Sequence, residues 1–344
     1  MSQPPSPPPP PPPPPLQQQQ WHPESAPEPE IRRFAFLNLE DAPKWGDLFA
    51  IFTQAIGLGG GYEGPAARIG GASPRPPTPK EQLSAANCRG APPPPHVIWD
   101  QFQCCAGELP TAAQLRTVYS GLLLTGSHHS VNDPMVQATW LPPLCALLRD
   151  AATLPHLRVV GGCFGCQCIA IALGGEVGAN PNGDFVFRAE SVHTTPALWE
   201  FLRHNQSTVH KGDDNFNSNT RSADDTGGGG GPTSSLVCLR LLESHGEQVL
   251  RMPPRAVPLA SSPGAQHEIF LAGPHRNLLA CQSHPELSIG LLYERIAPAL
   301  QSRGLVSEET LWVARKDMDN GLDSELGCAL YSGFLLGAGL PPLS

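Results

Sequence analysis

Nine residues, Val159-Val160-Gly161-Gly162-Cys163-Phe164-Gly165-Cys166-Gln167, restrict what this chain can fold into more than any other stretch. Residues 157–161 form a short apolar run of the kind that makes a buried strand. Residues 166–173 contain no breaker and close on Gly174-Gly175, where a helix would end. A strand that enters a helix through one sharp turn, with a cysteine between glycines, has the form of a nucleophile elbow. Gly161 and Gly165 permit a strand–helix approach that a side chain would obstruct. The turn lifts Cys163 above the sheet, and the helix N-terminus offers N–H groups and a positive dipole end, which favour the thiolate. The N–H of Phe164 can face a developing oxyanion.

The rest of the chain fits an α/β domain with additions. Prolines (41) and glycines (35) are numerous, and they cluster. An unbroken proline run over 7–15, followed by four glutamines, makes residues 1–30 an expected disordered arm with extended polyproline character. Such an arm is a possible ligand for a polyproline-binding protein. Residues 58–95 and 205–235 read as low-complexity insertions, the second holding five consecutive glycines. Strands are expected over 33–39, near 97–99, and over 118–124, 157–161, 236–242, 269–271 and 278–281. Helices are expected over 44–56, 140–148, 166–173 and 290–300. Without the arm and insertions about 245 residues remain, enough for one domain. The domain is expected over 31–300, with a C-terminal helical extension over 301–344. Alternating strands and helices predict a mostly parallel central sheet flanked by helices.

A net charge of −9 argues against a broad grip on nucleic acid or anionic lipid. No apolar run has the length of a membrane span. Without a basic region followed by an apolar run at the N-terminus, the ten cysteines are expected to be mostly reduced, in the cytosol.

A second segment, Gln282-Ser283-His284-Pro285-Glu286, supplies a partner for the thiol. Pro285 biases His284 toward extended backbone, and residues i and i+2 of an extended stretch face one side. Glu286 can then orient one imidazole nitrogen while the other faces a nucleophile, as in a triad. Other readings stay open on residues alone. Cys163 can be a buried structural thiol, Cys163-x-x-Cys166 a redox pair, or the pair with Cys168 a metal site. His128 and His129 read as loop histidines.

Gly161-x-Cys163-x-Gly165-x-Gln167 together with His284-Pro285-Glu286 resembles the class I glutamine amidotransferase superfamily, and within it the stand-alone proteins that include plant γ-glutamyl peptidases. Trp45-Gly46-Asp47, Gly107-Glu108-Leu109-Pro110, Thr125-Gly126-Ser127, 244–249 and 259–262 follow in the order of that superfamily. The resemblance implies a flavodoxin-like α/β fold and a thioester on Cys163, with His284 moving the proton and Glu286 orienting it. It implies backbone oxyanion donors at Phe164 and Gly126, and substrate contacts at Gln167, Ser127 and His245. A small γ-glutamyl substrate is expected, with no metal or organic cofactor. Cys166 and Ser283 depart from common residues of relatives and leave substrate choice open. The alternatives are a glutaminase subunit supplying ammonia to a separate synthase, and a non-catalytic binding or regulatory protein.

Overall fold

The computed structural model describes residues 30–59, 61–62, 95–209 and 238–338. The proline-rich arm, and most of the two expected insertions, lie outside them. The described residues from Ile31 onward belong to one compact unit.

The strands are β1 (Ile31–Asn38), β2 (Gly61–Tyr62), β3 (His96–Gln103), β4 (Gly121–Leu124), β5 (Arg158–Gly162), β6 (Glu176–Ala179), β7 (Val186–Thr194), β8 (Cys238–His245), β9 (Glu247–Arg251), β10 (Val257–Ser261), β11 (Ile269–Ala272) and β12 (Leu278–Cys281). The main helices are α1 (Leu48–Ala55), α2 (Ala112–Thr117), α3 (Pro134–Ala138), α4 (Leu141–Ala152), α5 (Phe164–Ala172), α6 (Pro196–Val209), α7 (Ala297–Ser302), α8 (Glu308–Met318) and α9 (Ser324–Leu335). Helix α6 runs into the stretch expected to be the second insertion. The strand expected over 118–124 is only its last four residues. Thr111 and Gln114 form a reciprocal capping box that starts α2, so the segment before β4 is helical.

Ten strands make one sheet, in the order β2-β3-β1-β4-β5-β12-β11-β10-β7-β8. The sheet is mixed: five neighbouring pairs are parallel and four are antiparallel. From β2 to β12 every neighbouring pair is parallel. From β12 to β8 every pair is antiparallel. Along β10, β11 and β12 the reason is connection length. A parallel pair needs a crossover of a dozen or more residues, whereas short turns join β10 to β11 and β11 to β12 and must reverse the chain. Strands β6 and β9 form a separate antiparallel pair.

The parallel half is apolar on both faces. Along β1, Ala35 and Leu37 enter the core that contains α4 and α5, while Phe34 and Phe36 enter the core that contains α1, α6 and α9. All four are fully buried, the period-two pattern of a central strand covered on both sides. Helix α9 belongs to this second core through Leu330, Tyr331 and Phe334. A third cluster packs α7 and α8 against Phe187 of β7 and Leu242 of β8.

Candidate functional site

The carboxyl ends of β4, β5 and β12 adjoin, the position where open α/β sheets place ligands. Each end contributes one piece of the site.

At β5 the close approach of α5 requires glycine. A Cβ on Gly161 would lie 2.6 Å from the Gly165 carbonyl carbon, and one on Gly165 would lie 2.8 Å from Leu124 Cβ. Between them Cys163 adopts φ +46° and ψ −106°, a strained conformation for a residue with a side chain. Its N–H donates to the Cys281 carbonyl at 2.7 Å, and its carbonyl accepts from the Gln167 N–H at 3.1 Å. The cysteine thus stands between the end of the sheet and the first turn of α5. The first N–H groups of that helix, Phe164 among them, have no partner within it.

The chain leaving β12 is pinned on both sides. The Ser283 N–H donates to Glu268 Oε1 at 2.9 Å, and the His284 N–H donates to the Leu242 carbonyl at 2.8 Å. His284 Nδ1 and Glu286 Oε1 are 2.8 Å apart. The Cys163 sulfur lies close enough to His284 to act on its charge. Burial pushes this imidazole down, but the Cys163 sulfur and the Glu286 carboxylate outweigh it and hold His284 well above its ordinary value. Cys163, His284 and Glu286 are all buried and all line one cavity of about 360 Å³.

The end of β4 supplies the facing wall. A Cβ on Gly126 would lie 2.9 Å from His284 Cε1 and 3.6 Å from Cys163 Cβ, so only glycine brings backbone this close to both. Thr125 Oγ1 fixes the turn by accepting from the Leu39 N–H at 2.9 Å and donating to the Gly126 carbonyl at 2.9 Å.

The remaining expected contacts, Ser127, Gln167 and His245, also line the cavity. Ser127 Oγ accepts from the His129 N–H at 3.1 Å. Gln167 Nε2 donates to the Glu247 carbonyl at 2.9 Å and to Gln282 Oε1 at 3.4 Å, so its amide is used to hold the wall. His245 Nδ1 sits 3.2 Å from Asn180 Oδ1. Burial, with His284 nearby, brings His245 down to about 4 and keeps it neutral.

Several contributors were absent from the expectations. Gln282 Nε2 donates to Cys163 Sγ at 3.5 Å. Glu243 and Glu268 are buried carboxyl groups behind the site, and neither oxygen of Glu243 has a hydrogen-bond partner among the described residues. Burial raises both, and the Glu268 charge adds to the shift of Glu243, which favours a proton held at the pair. Cys166 and Cys168 are wholly buried on α5, and burial raises both thiols well above their ordinary value. That environment suits packing, and among the described residues neither thiol belongs to a group that could hold a metal ion.

No family model matches the chain. It is 27% identical over 243 residues to Gamma-glutamyl peptidase 3 of Arabidopsis thaliana, covering 70% of this chain and 83% of that one. A crystal structure of a glutamine amidotransferase from Thermotoga maritima superposes with a TM-score of 0.53 at 15% identity, covering 89% of this chain and 99% of the other. A glutamine amidotransferase from Methylobacillus flagellatus gives 0.51 at 17% identity, covering 92% and 98%. The chain therefore has an α/β fold of the class I glutamine amidotransferase type, with a mixed central sheet, and is distantly related to plant γ-glutamyl peptidases. Among the described residues no helix is long and apolar enough to cross a membrane.

Proposed function

We propose that the protein is a stand-alone cysteine hydrolase of γ-glutamyl amide or peptide bonds. The observation that carries this reading is the buried chain Cys163–His284–Glu286 at the wall of a cavity. It is supported by the distant relation to γ-glutamyl peptidases. The sulfur of Cys163, deprotonated by His284, attacks the γ-carbonyl carbon, and the carbonyl π electrons move onto oxygen. Backbone N–H groups at Phe164 and Gly126 receive that oxyanion. As it collapses, the C–N bond breaks and His284 gives its proton to the departing amine. The γ-glutamyl group remains as a thioester on Cys163. Water, losing a proton to His284, then attacks the thioester and releases glutamate, and the thiol is restored. Glu286 holds Nδ1 of the imidazole throughout and stabilises its positive charge.

The test is turnover of γ-glutamyl dipeptides, glutathione and glutamine by purified protein, with mass-spectrometric trapping of an acyl adduct on Cys163. Release of γ-glutamate by wild type and its loss in Cys163→Ala are expected. Equal turnover by the variant, or no turnover of any γ-glutamyl compound, defeats the reading.

A further inference from the structure

A second group of donors adjoins the same cavity, which Glu40, His128 and His129 line, and is separate from Cys163, His284 and Glu286. Asp41 follows β1, and Cys105 sits in the short helical turn Cys104–Ala106 after β3. His128 and His129 follow the Gly126 turn. Asp41, Cys105 and His129 each bring one ligand atom to within 4.8 Å of the other two. Glu40, Asp41 and His128 do the same, so Asp41 is common to both sets.

Two details separate this group from an ordinary surface cluster. First, His129 Nε2 is 3.3 Å from Asp41 Oδ1, yet that nitrogen is buried and makes no hydrogen bond. The two atoms close on a common point without a proton aligned between them. Ligands about 2.0 Å from a tetrahedral ion lie about 3.3 Å from one another, so the spacing is that of one edge of a coordination tetrahedron. Second, His128 Nδ1 is 2.6 Å from Glu40 Oε1, and the His128 N–H donates to Glu40 Oε2 at 3.0 Å. A proton on Nδ1 leaves Nε2 with its lone pair bare, and Nε2 faces the same Asp41 Oδ1 at 3.9 Å. His128 is thereby held at the flank of Asp41, outside the three-donor set.

We propose that Asp41, Cys105 and His129 form a binding site for a zinc-class divalent cation, with solvent completing its coordination sphere. A thiol, an imidazole and a carboxylate suit zinc, whereas calcium and magnesium take all-oxygen sets. The Asp41 side chain is 52% exposed, which gives the ion an entrance from solvent. On binding, the Cys105 thiol gives up its proton to solvent and the sulfur takes the ion. The ion joins three chain segments, one of which leads directly from the Gly126 turn. The His129 ring lies 5.6 Å from Trp140, and Trp140 lies 5.7 Å from Phe164. An occupied site therefore braces the wall that faces Cys163.

The test uses the full chain, reduced and stripped with a chelator, then titrated with cobalt(II) and challenged with zinc(II). A single equivalent of cobalt(II) is expected to give thiolate charge-transfer and tetrahedral d–d absorption that zinc(II) abolishes. The charge-transfer band is expected to vanish in Cys105→Ser and to persist in Cys163→Ser. Asp41→Asn, at a half-exposed side chain that leaves folding intact, is expected to weaken cobalt binding by about tenfold or more. Persistence of the band in Cys105→Ser, its loss in Cys163→Ser, unchanged affinity in Asp41→Asn, or no stoichiometric binding overturns the proposal. The readout is independent of turnover, so it stands whichever way the hydrolase reading falls.

Discussion

Gln282 Nε2 donates a hydrogen bond to Cys163 Sγ at 3.5 Å, while Gln282 Oε1 accepts from Gln167 Nε2 at 3.4 Å. One amide thus links the segment leading to His284 with Cys163 and with the helix that follows it. A donor to sulfur favours the thiolate, and a single hydrogen bond contributes on the order of 1 kcal/mol, roughly a fivefold effect on rate. Gln282→Ala is expected to slow both turnover and iodoacetamide alkylation about fivefold. Gln282→Glu should be slower still, because a carboxylate would face the developing negative sulfur. Alkylation rates of the three proteins at one pH check this order.

Helix α9 reaches the site from behind. A Cβ on Gly327 would lie 2.5 Å from Pro285 Cβ, and Cys328 Sγ donates to the Pro285 carbonyl at 3.3 Å. Pro285 stands between His284 and Glu286, so any added volume at 327 pushes on the turn that sets their geometry. Gly327→Ala is expected to lower stability by about 1–3 kcal/mol, the range for overpacking, and to lower kcat at unchanged expression. Chemical denaturation and steady-state rates measured together check it. A silent Gly327→Ala would mean that α9 only covers the sheet.

This contact also shows what the sequence could not disclose. Elbow and histidine segments were legible because each carries its function in local chemistry: glycines about a cysteine, and proline after a histidine. Their union at adjoining strand ends follows from β5 and β12 being parallel neighbours. The antiparallel half was less legible. Strand β7, with its mixed burial, and β9, half of a separate pair, lack a long apolar run. Helix α2 is six residues long, too short for a period to emerge, and only its capping pair at Thr111 and Gln114 announces it. Gln282 and Gly327 act through residues 119 positions and 42 positions away in the chain, respectively. No local pattern records such distances.

The backbone at Cys163 offers a stability test that is independent of catalysis. At φ +46° a Cβ is strained, and strain of this kind costs on the order of 1–3 kcal/mol. In ordinary backbone, glycine is less stable than alanine by about 0.5–1 kcal/mol. At position 163 the order should invert, with Cys163→Gly more stable than Cys163→Ala by about 1 kcal/mol. Both variants should be inactive. Melting of the two side by side decides the matter, and an alanine variant that melts higher would show that the turn relaxes in solution.

The carboxyl pair behind the site predicts an alkaline effect. Burial and the neighbouring carboxylates raise Glu243, and burial raises Glu268, so the folded protein retains a proton that the unfolded chain has lost. A raised folded value gives stability that is complete below the ordinary carboxylate range and is lost as pH rises toward the folded value. Glu243→Gln keeps the shape and supplies a permanent N–H donor to Glu268. Its Tm should match wild type near pH 5 and exceed it by several degrees near pH 8. Equal Tm values at both pH values would show that no proton is shared.

His245 acts in the opposite direction. Burial, with His284 close by, lowers it to about 4, against an ordinary value near 6.5. Below about pH 6.5 the unfolded chain takes up a proton that the folded protein refuses, so stability falls between pH 6.5 and 4. The full loss is on the order of 3 kcal/mol. His245→Gln removes the titrating group and keeps a hydrogen-bonding side chain toward Asn180. Its acid limb is expected to be flatter than that of wild type, measured as Tm from pH 7 down to 4.

The relation of Glu286 to His284 is the most discriminating test of the proposed chemistry. Glu286 Oε1 lies 2.8 Å from His284 Nδ1, and its other oxygen is buried without a hydrogen bond. The carboxylate thus commits itself to the imidazole, orienting it and supporting its positive charge. Glu286→Gln leaves an oxygen to face Nδ1 but removes the charge. His284 should then hold its proton less firmly, since Glu286 is one of the groups that raise it. The sulfur of Cys163 still has its imidazole partner, Gln282 and the helix N-terminus. Turnover is expected to fall about ten- to a thousand-fold, well short of the near-complete loss in His284→Ala. The pH profile of iodoacetamide alkylation should shift in Glu286→Gln and flatten in His284→Ala. If Glu286→Gln leaves both turnover and the profile unchanged, the carboxylate serves the fold alone and the chemistry belongs to Cys163 and His284.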